Sequence, residues 1–273
     1  LAGDADVGEG TRLSQSKRTT RRLKAVPAVD AGDGKGGHAQ PRRNRVNQFE
    51  LAYERIESLI VNCMLKPGQV LALSDLQDLI KLGRTPVHQA VTRFAVDTLI
   101  IISPRHGLQI APIDLARERI LLAMRRDLER FVIRLAAERS AASHRNQMLH
   151  LQRALRERRE VMDIDEFNLL DRRLDRLMLA VAGEPFLEHA LRPLHTMSRR
   201  IGWLYHAELK APFSLQTTID RHLAVLDAVA NRHIEQAIGA SDRLIAFVDS
   251  MFDVMEREID PSLLDCSVEA DQP

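Results

Sequence analysis

The chain has 273 residues and is 45% apolar, enough for a packed core, so wholesale disorder is excluded. Its 39 Lys and Arg against 38 Asp and Glu leave a net charge of +1, which excludes a uniformly basic nucleic-acid coat. Two cysteines, Cys63 and Cys266, exclude a disulfide scaffold or a cysteine-based zinc module and suit a reducing compartment. No apolar run approaches the roughly 20 residues of a membrane span, and the N-terminus lacks the apolar core of a signal peptide. A cytoplasmic protein without a membrane partner is the expectation.

The near-zero total hides a gradient. Residues 1–46 carry ten Lys/Arg and five Asp/Glu, residues 47–113 six of each, and residues 114–273 carry 23 and 27. The first stretch has almost nothing to bury and reads as a disordered basic tail. Its Lys17-Arg18 and Arg21-Arg22 pairs could hold DNA phosphates without reading sequence. The chain then divides into a head (47–113), a helical domain (114–260) and a frayed acidic end (261–273).

In the head, Leu51, Ile56, Leu59 and Ile60 recur at helical spacing, and Pro67-Gly68 marks a turn. A second helix follows, with Ser74 as its N-cap and Leu76, Leu79 and Ile80 as its apolar face. After a break at 81–84, Thr85-Pro86 opens a third helix that buries Val87, Ala90, Val91 and Phe94; proline is tolerated in a first turn. Leu99–Ile102 and Leu108–Ala111 are short β-prone runs around the turn Pro104-Arg105-His106-Gly107. Beyond residue 114 the pattern is helical almost throughout. It predicts helices over 120–142, 145–162, 164–182, 185–209, 217–231 and 234–258, with breaks at Gly183-Glu184-Pro185 and Pro212. About six helices without a sheet make an all-α antiparallel bundle. The fold class is therefore mainly α: a winged helix-turn-helix of three helices and a short β-hairpin, joined to that bundle.

A winged helix-turn-helix places its second helix in the major groove of double-stranded DNA. The exposed candidates for contact are Ser74, Arg84, Thr85, His88, Gln89 and Arg93, with Arg105, His106 and Gly107 on the wing. Gly107 has no Cβ, so backbone could approach DNA closely there.

Leu65-Lys66-Pro67-Gly68, Gly83-Arg84-Thr85-Pro86-Val87-His88-Gln89-Ala90-Val91 and the wing Pro104-Arg105-His106-Gly107 together resemble the GntR transcription regulators. The likeness is to the FadR/VanR-like subfamily with a helical FCD effector domain, and it runs from about residue 49 to 258. The family's "SRTPVREAL" signature has Ser, Arg and Glu where Gly83, His88 and Gln89 stand, and Gly where Thr98 stands. Loss of an Arg at 88 removes a fork-shaped contact that His does not replace, so altered or weaker readout is expected.

The resemblance also implies an effector site. Arg125, in Arg125-Arg126-Asp127-Leu128-Glu129, corresponds to an arginine that faces the ligand cavity and could hold a carboxylate by paired hydrogen bonds. Asp171, Asp175 and His222 correspond to three positions of the family's divalent-metal set, with Asp175 replacing His and Leu244 standing where a further His would be. Asp171 and Asp175 share a helix face, and with His222 they could hold Zn, Ni or Mn. The alternative is a metal-free pocket with Asp171 paired to an arginine such as Arg200. Other histidines (His189, His195, His206) could approach, and Trp203 and Tyr205 lie on the helix expected to wall the cavity, more as core than as contacts.

The expectation is a homodimeric, operator-binding regulator, more commonly a repressor in this family, controlled by a small carboxylate-like metabolite. One alternative is a degenerate regulator that binds DNA without effector or metal control. A remote one is a metal-dependent hydrolase, but the chain has no His-Asp dipeptide, P-loop or GxSxG motif, so no enzyme is expected.

Overall fold

The computed structural model describes residues 47–209 and 214–267. The basic tail and Pro212 lie outside the described residues. Helix α1 (Gln48–Val61) begins where the Asn47 side chain accepts the Phe49 N–H at 3.1 Å. Its buried Ala52, Tyr53, Ile56 and Ile60 pack on Val87, Ala90, Val91 and Phe94 of α3 (Arg84–Val96). Tyr53 stacks on Phe94 with ring centroids 4.2 Å apart. Between them, α2 (Leu73–Ile80) buries Leu76 and Ile80, and Arg55 of α1 donates to the Ile80 carbonyl at 2.6 Å, satisfying a helix end.

The expected Ser74 cap is corrected here. Ala72 occupies the N-cap, and the Asp75 carboxylate accepts the Ala72 N–H at 2.9 Å. Ser74 is exposed within the first turn. The hairpin is also larger than expected. β2 (Ile100–Ser103) and β3 (Gly107–Ile110) pair antiparallel, and β1 (Val70–Leu71) adds on the far side of β3, giving the order β1-β3-β2. That explains Gly107: with φ at +92°, a Cβ there would sit 2.8 Å from the Leu71 carbonyl oxygen. The close approach it permits is to β1 within the wing.

Thr98 occupies the left-handed region at φ 59°, a costly place for a β-branched residue. Thr98→Gly should raise the unfolding free energy by about 1 kcal/mol, partly offset by loss of the Arg117 to Thr98 Oγ1 hydrogen bond of 2.7 Å. A higher midpoint in thermal unfolding is the expected reading; a lower one would show that the turn is unstrained.

Six helices form the second half: α4 (Leu115–Arg139), α5 (Ala142–Arg158), α6 (Ile164–Ala182), α7 (Pro185–Glu208), α8 (Leu215–Ala230) and α9 (Ile234–Glu258). Helix α4 is central and touches α6, α7, α8 and α9. Gly183 ends α6 in the left-handed conformation at φ 67°, and Pro185 opens α7. The expected fraying of the C-terminal end does not hold for its described part. A short helix α10 (Pro261–Leu264) caps the head: Ile113 N–H donates to the Leu264 carbonyl and Cys266 N–H to the Pro67 carbonyl, both at 2.9 Å. Gly68 fits beneath it, where a Cβ would collide with the Asp265 carboxylate at 2.0 Å.

Candidate functional site

The first site is the outer face of α3. Its buried positions 87, 90, 91 and 94 leave Arg84, Thr85, His88 and Gln89 exposed on the opposite side. Thr92 is exposed on the same face, and the sequence reading missed it, although it lies one turn beyond His88. Arg93 is half-buried and donates to the buried Asp97 at 3.1 Å, so its guanidinium is tied to the helix end. Arg105 and His106 are exposed at the wing tip. Ile101 and Ile102 of β2 are exposed beside them.

The second site is a buried polar centre where α1, α4, α6, α7 and α8 meet. Burying this many charges is costly unless each is paired. Arg199 of α7 is its hub. It donates to Glu57 of α1 at 2.9 Å and contacts Asp175 at 2.5 Å and Asp171 at 3.4 Å, both on α6. Glu57, on the head's first helix, also pairs with Arg172 at 2.9 Å and accepts from Thr196 at 2.5 Å. His195 lies between Asp175, 3.3 Å from Nδ1, and Glu129 of α4, 3.2 Å from Nε2. Arg125 reaches Glu129 at 3.6 Å. His222 of α8 donates from Nδ1 to the Thr218 carbonyl at 2.7 Å, and its Nε2 faces Asp171 at 3.1 Å.

These contacts set the protonation states. Burial pushes the Glu57 carboxyl up, but Arg199 and Arg172 overcome it and hold it below the usual carboxylate range. Burial likewise opposes ionisation of Asp171, yet His222 and Arg199 hold it well below its ordinary value. Asp175 moves the other way, raised by burial and by the neighbouring Asp171. His222 is raised: burial opposes its charge, and Asp171 more than compensates.

The structure brings Arg125, Asp171, Asp175 and His222 together in this centre. It corrects the arginine. Arg200 points out of the centre and donates to the Ala111 carbonyl at 3.1 and 3.0 Å. One residue along a helix turns the side chain by about 100°, so Arg199 and His195 face Asp175 while Arg200 faces the head. Trp203 and Tyr205 belong to a separate apolar cluster, with the Trp203 indole donating to Asp165 at 2.9 Å. Of the other histidines only His195 enters the centre: His189 is exposed, and His206 contacts Thr218 at 2.9 Å.

The family's metal set is incomplete here: Leu244 supplies no ligand, and Asp171 and Asp175 are both already in contact with the Arg199 guanidinium. Glu129, Asp175 and His195 present ligand atoms all within 4.8 Å of one another, but Arg125 and Arg199 are already in contact with both carboxylates. The cavity lined by Arg125, Glu129, His222 and Leu244 measures about 10 Å³, room for a single water and too little for an organic effector.

Known proteins place this architecture. Residues 49–110 match the model for bacterial regulatory proteins of the GntR family, and residues 120–247 match the FCD domain. The chain is 26% identical over 183 residues to the HTH-type transcriptional repressor RspR of Escherichia coli K12, covering 66% of this chain and 78% of that protein. It is equally similar to the HTH-type transcriptional regulator YdfH of Shigella flexneri. Among solved structures, E. coli McbR/YncC superposes with a TM-score of 0.67 at 17% identity, over 78% of this chain and all of that one. A GntR transcriptional regulator from Rhodococcus sp. RHA1 gives 0.57 at 15% identity, over 77% of this chain and 99% of that one. Among the described residues no helix is long and apolar enough to cross a membrane. With a GntR head and an FCD bundle along one chain, this protein belongs to the GntR family of transcriptional regulators.

Proposed function

We propose that the protein is a homodimeric repressor that binds a two-fold symmetric operator through α3 and releases or retains it in response to a small organic carboxylate. The observation that carries this reading is the face of α3, where Arg84, Thr85, His88 and Gln89 stand exposed above a buried apolar seam. Arginine at such a position contacts guanine or phosphate, and the others contact base edges. Ser74 and the wing residues Arg105 and His106 would hold backbone phosphates. The printed description of RspR as a repressor supports the sign of regulation. The experiment is capture: the protein is incubated with genomic fragments and the retained DNA is sequenced. Enrichment of a palindrome supports the reading, and retention without sequence preference sinks it.

The dimer surface is assigned to α4. Ile120, Met124 and Phe131 are 66%, 53% and 63% exposed and fall on one helix stripe. A second copy would cover them around a two-fold axis, matching an operator of two half-sites. A Met124→Glu, Phe131→Glu double variant should run as a monomer in light scattering; a dimer of unchanged mass would place the interface elsewhere.

The filled interior of the bundle favours a second reading, a regulator that binds DNA without effector control. A thermal-shift screen of organic acids separates the two: stabilisation by no acid favours the second.

A further inference from the structure

A second cavity of about 360 Å³ lies between the head and the bundle, walled by α1, α6 and α7. Its volume is within the roughly 300–1,000 Å³ of small-molecule pockets. It shares only Asp175 with the filled interior cavity, so it is a different place from the one the family resemblance pointed to.

Its lining contains four guanidiniums, Arg172, Arg176, Arg192 and Arg199. Its four carboxylates are already engaged: Glu57 with Arg172 and Arg199, Asp175 with Arg199 and His195, and Glu188 and Glu50 with Arg192. The donors are not all used. The Nε atoms of Arg172 and Arg199 are buried without a protein hydrogen-bond partner among the described residues. Guanidiniums only donate, so a ligand matched to this lining is an acceptor. Glu57 shows which kind: a carboxylate already sits between these guanidiniums, 2.9 Å from each. At the mouth, Arg176 pairs with Glu54, and Arg192 with Glu188 and, at 4.0 Å, with Glu50, all half-exposed, pairs that a ligand can exchange at little cost.

We infer that this cavity binds a small dicarboxylate, one carboxylate taking donors of Arg172 and Arg199 in competition with Glu57, the other reaching Arg176 and Arg192. The inference rests on the reading of the chain as an effector-controlled regulator. It adds where the effector sits and how the head feels it. Glu57 belongs to α1, whose Tyr53 also lines the cavity, lies 5.0 Å beneath Arg192 and stacks on Phe94 of α3. A ligand that displaces Glu57 therefore favours a different seat for α1 and its recognition helix, the differential contact that any allosteric effect requires.

The test is calorimetric titration of the full chain with succinate, glutarate, citrate and inorganic phosphate. Saturable binding of a dicarboxylate is expected. Glu57→Gln should tighten it about tenfold by removing the resident competitor, and Arg172→Met should weaken it by at least as much. If Glu57→Gln does not fold, the wild-type protein still answers: the Arg172 and Arg199 Nε–H resonances in a 1H–15N spectrum should shift on adding succinate. No binding by any of the three acids at millimolar concentration, binding of phosphate alone, or binding that leaves those resonances unmoved would overturn the inference. Operator titration without added acid tests the underlying reading separately. An intact operator complex with no acid bound would fail the inference alone, and no operator complex would fail the reading.

Discussion

Replacing Glu57 with Ala should lower the unfolding free energy by about 3–5 kcal/mol, the cost of removing one partner from a buried ion pair. The residue is buried and carries two guanidinium contacts of 2.9 Å, from Arg172 and Arg199, and a hydroxyl hydrogen bond from Thr196. Without it, Arg172 loses its carboxylate partner and Arg199 is left to the two aspartates. Set against a typical total of 5–15 kcal/mol, that is a large share of the stability. Glu54→Ala provides the contrast. Its pair with Arg176 is 37% and 43% exposed at the two side chains, so its loss should cost at most about 1 kcal/mol. Urea unfolding of both variants checks this. Equal small losses would show that the head is not anchored through Glu57. Glu57→Ala should also lower the protection of α1 amides from hydrogen exchange, because α1 then loses its polar tie to α7.

Stability should peak in mildly acidic to neutral solution and fall on both sides. Glu57, Glu129 and Asp171 have folded pKa values below their ordinary ones, held down by Arg199 and Arg172, by His195 and by His222 respectively, against burial. A depressed carboxylate contributes stability above its unfolded value, 4.5 for Glu and 3.8 for Asp, and loses it as pH falls through the folded value. His222 is raised above 6.5. Its contribution is complete below that value and is lost as pH rises through the folded one. Asp175, raised by burial, works against the three carboxylates at high pH. His206, lowered by burial to about 4, costs stability as pH falls from 6.5, so the maximum should lie at about pH 6.5, with a steep acid limb and a shallower alkaline one. His222→Gln should flatten the alkaline limb. Thermal midpoints across pH measure this, and an alkaline limb unchanged in that variant would remove His222 from the account.

Much of the fold was legible because helical periodicity is local. Helices 164–182 and 234–258 were read to the residue, and Gly183 and Pro185 marked a real break. Strand β1 was not legible: two residues become a strand only by pairing with β3. Ser74 looked like a cap by type, yet Asp75 closes the turn from the third position. In the polar centre, Asp171, Asp175 and His222 were found by resemblance, and Arg199 was missed in favour of its neighbour because only helix phase separates them. Glu57 gave no signal at all. It lies in a head helix among other charges, and its burial comes from contact with the bundle, which no local pattern reports. His195 was one of three histidines that spacing could not rank.

The central claim is that α3 reads duplex DNA, and Arg84 tests it most directly. The guanidinium is exposed at the first position of the helix, so Arg84→Ala leaves the fold untouched. Fluorescence anisotropy against a captured operator fragment, at one fixed salt concentration, should show binding weakened about 10- to 100-fold, the worth of one good base or phosphate contact, with the thermal midpoint unchanged. Equal affinity of wild type and variant for that fragment would contradict the account.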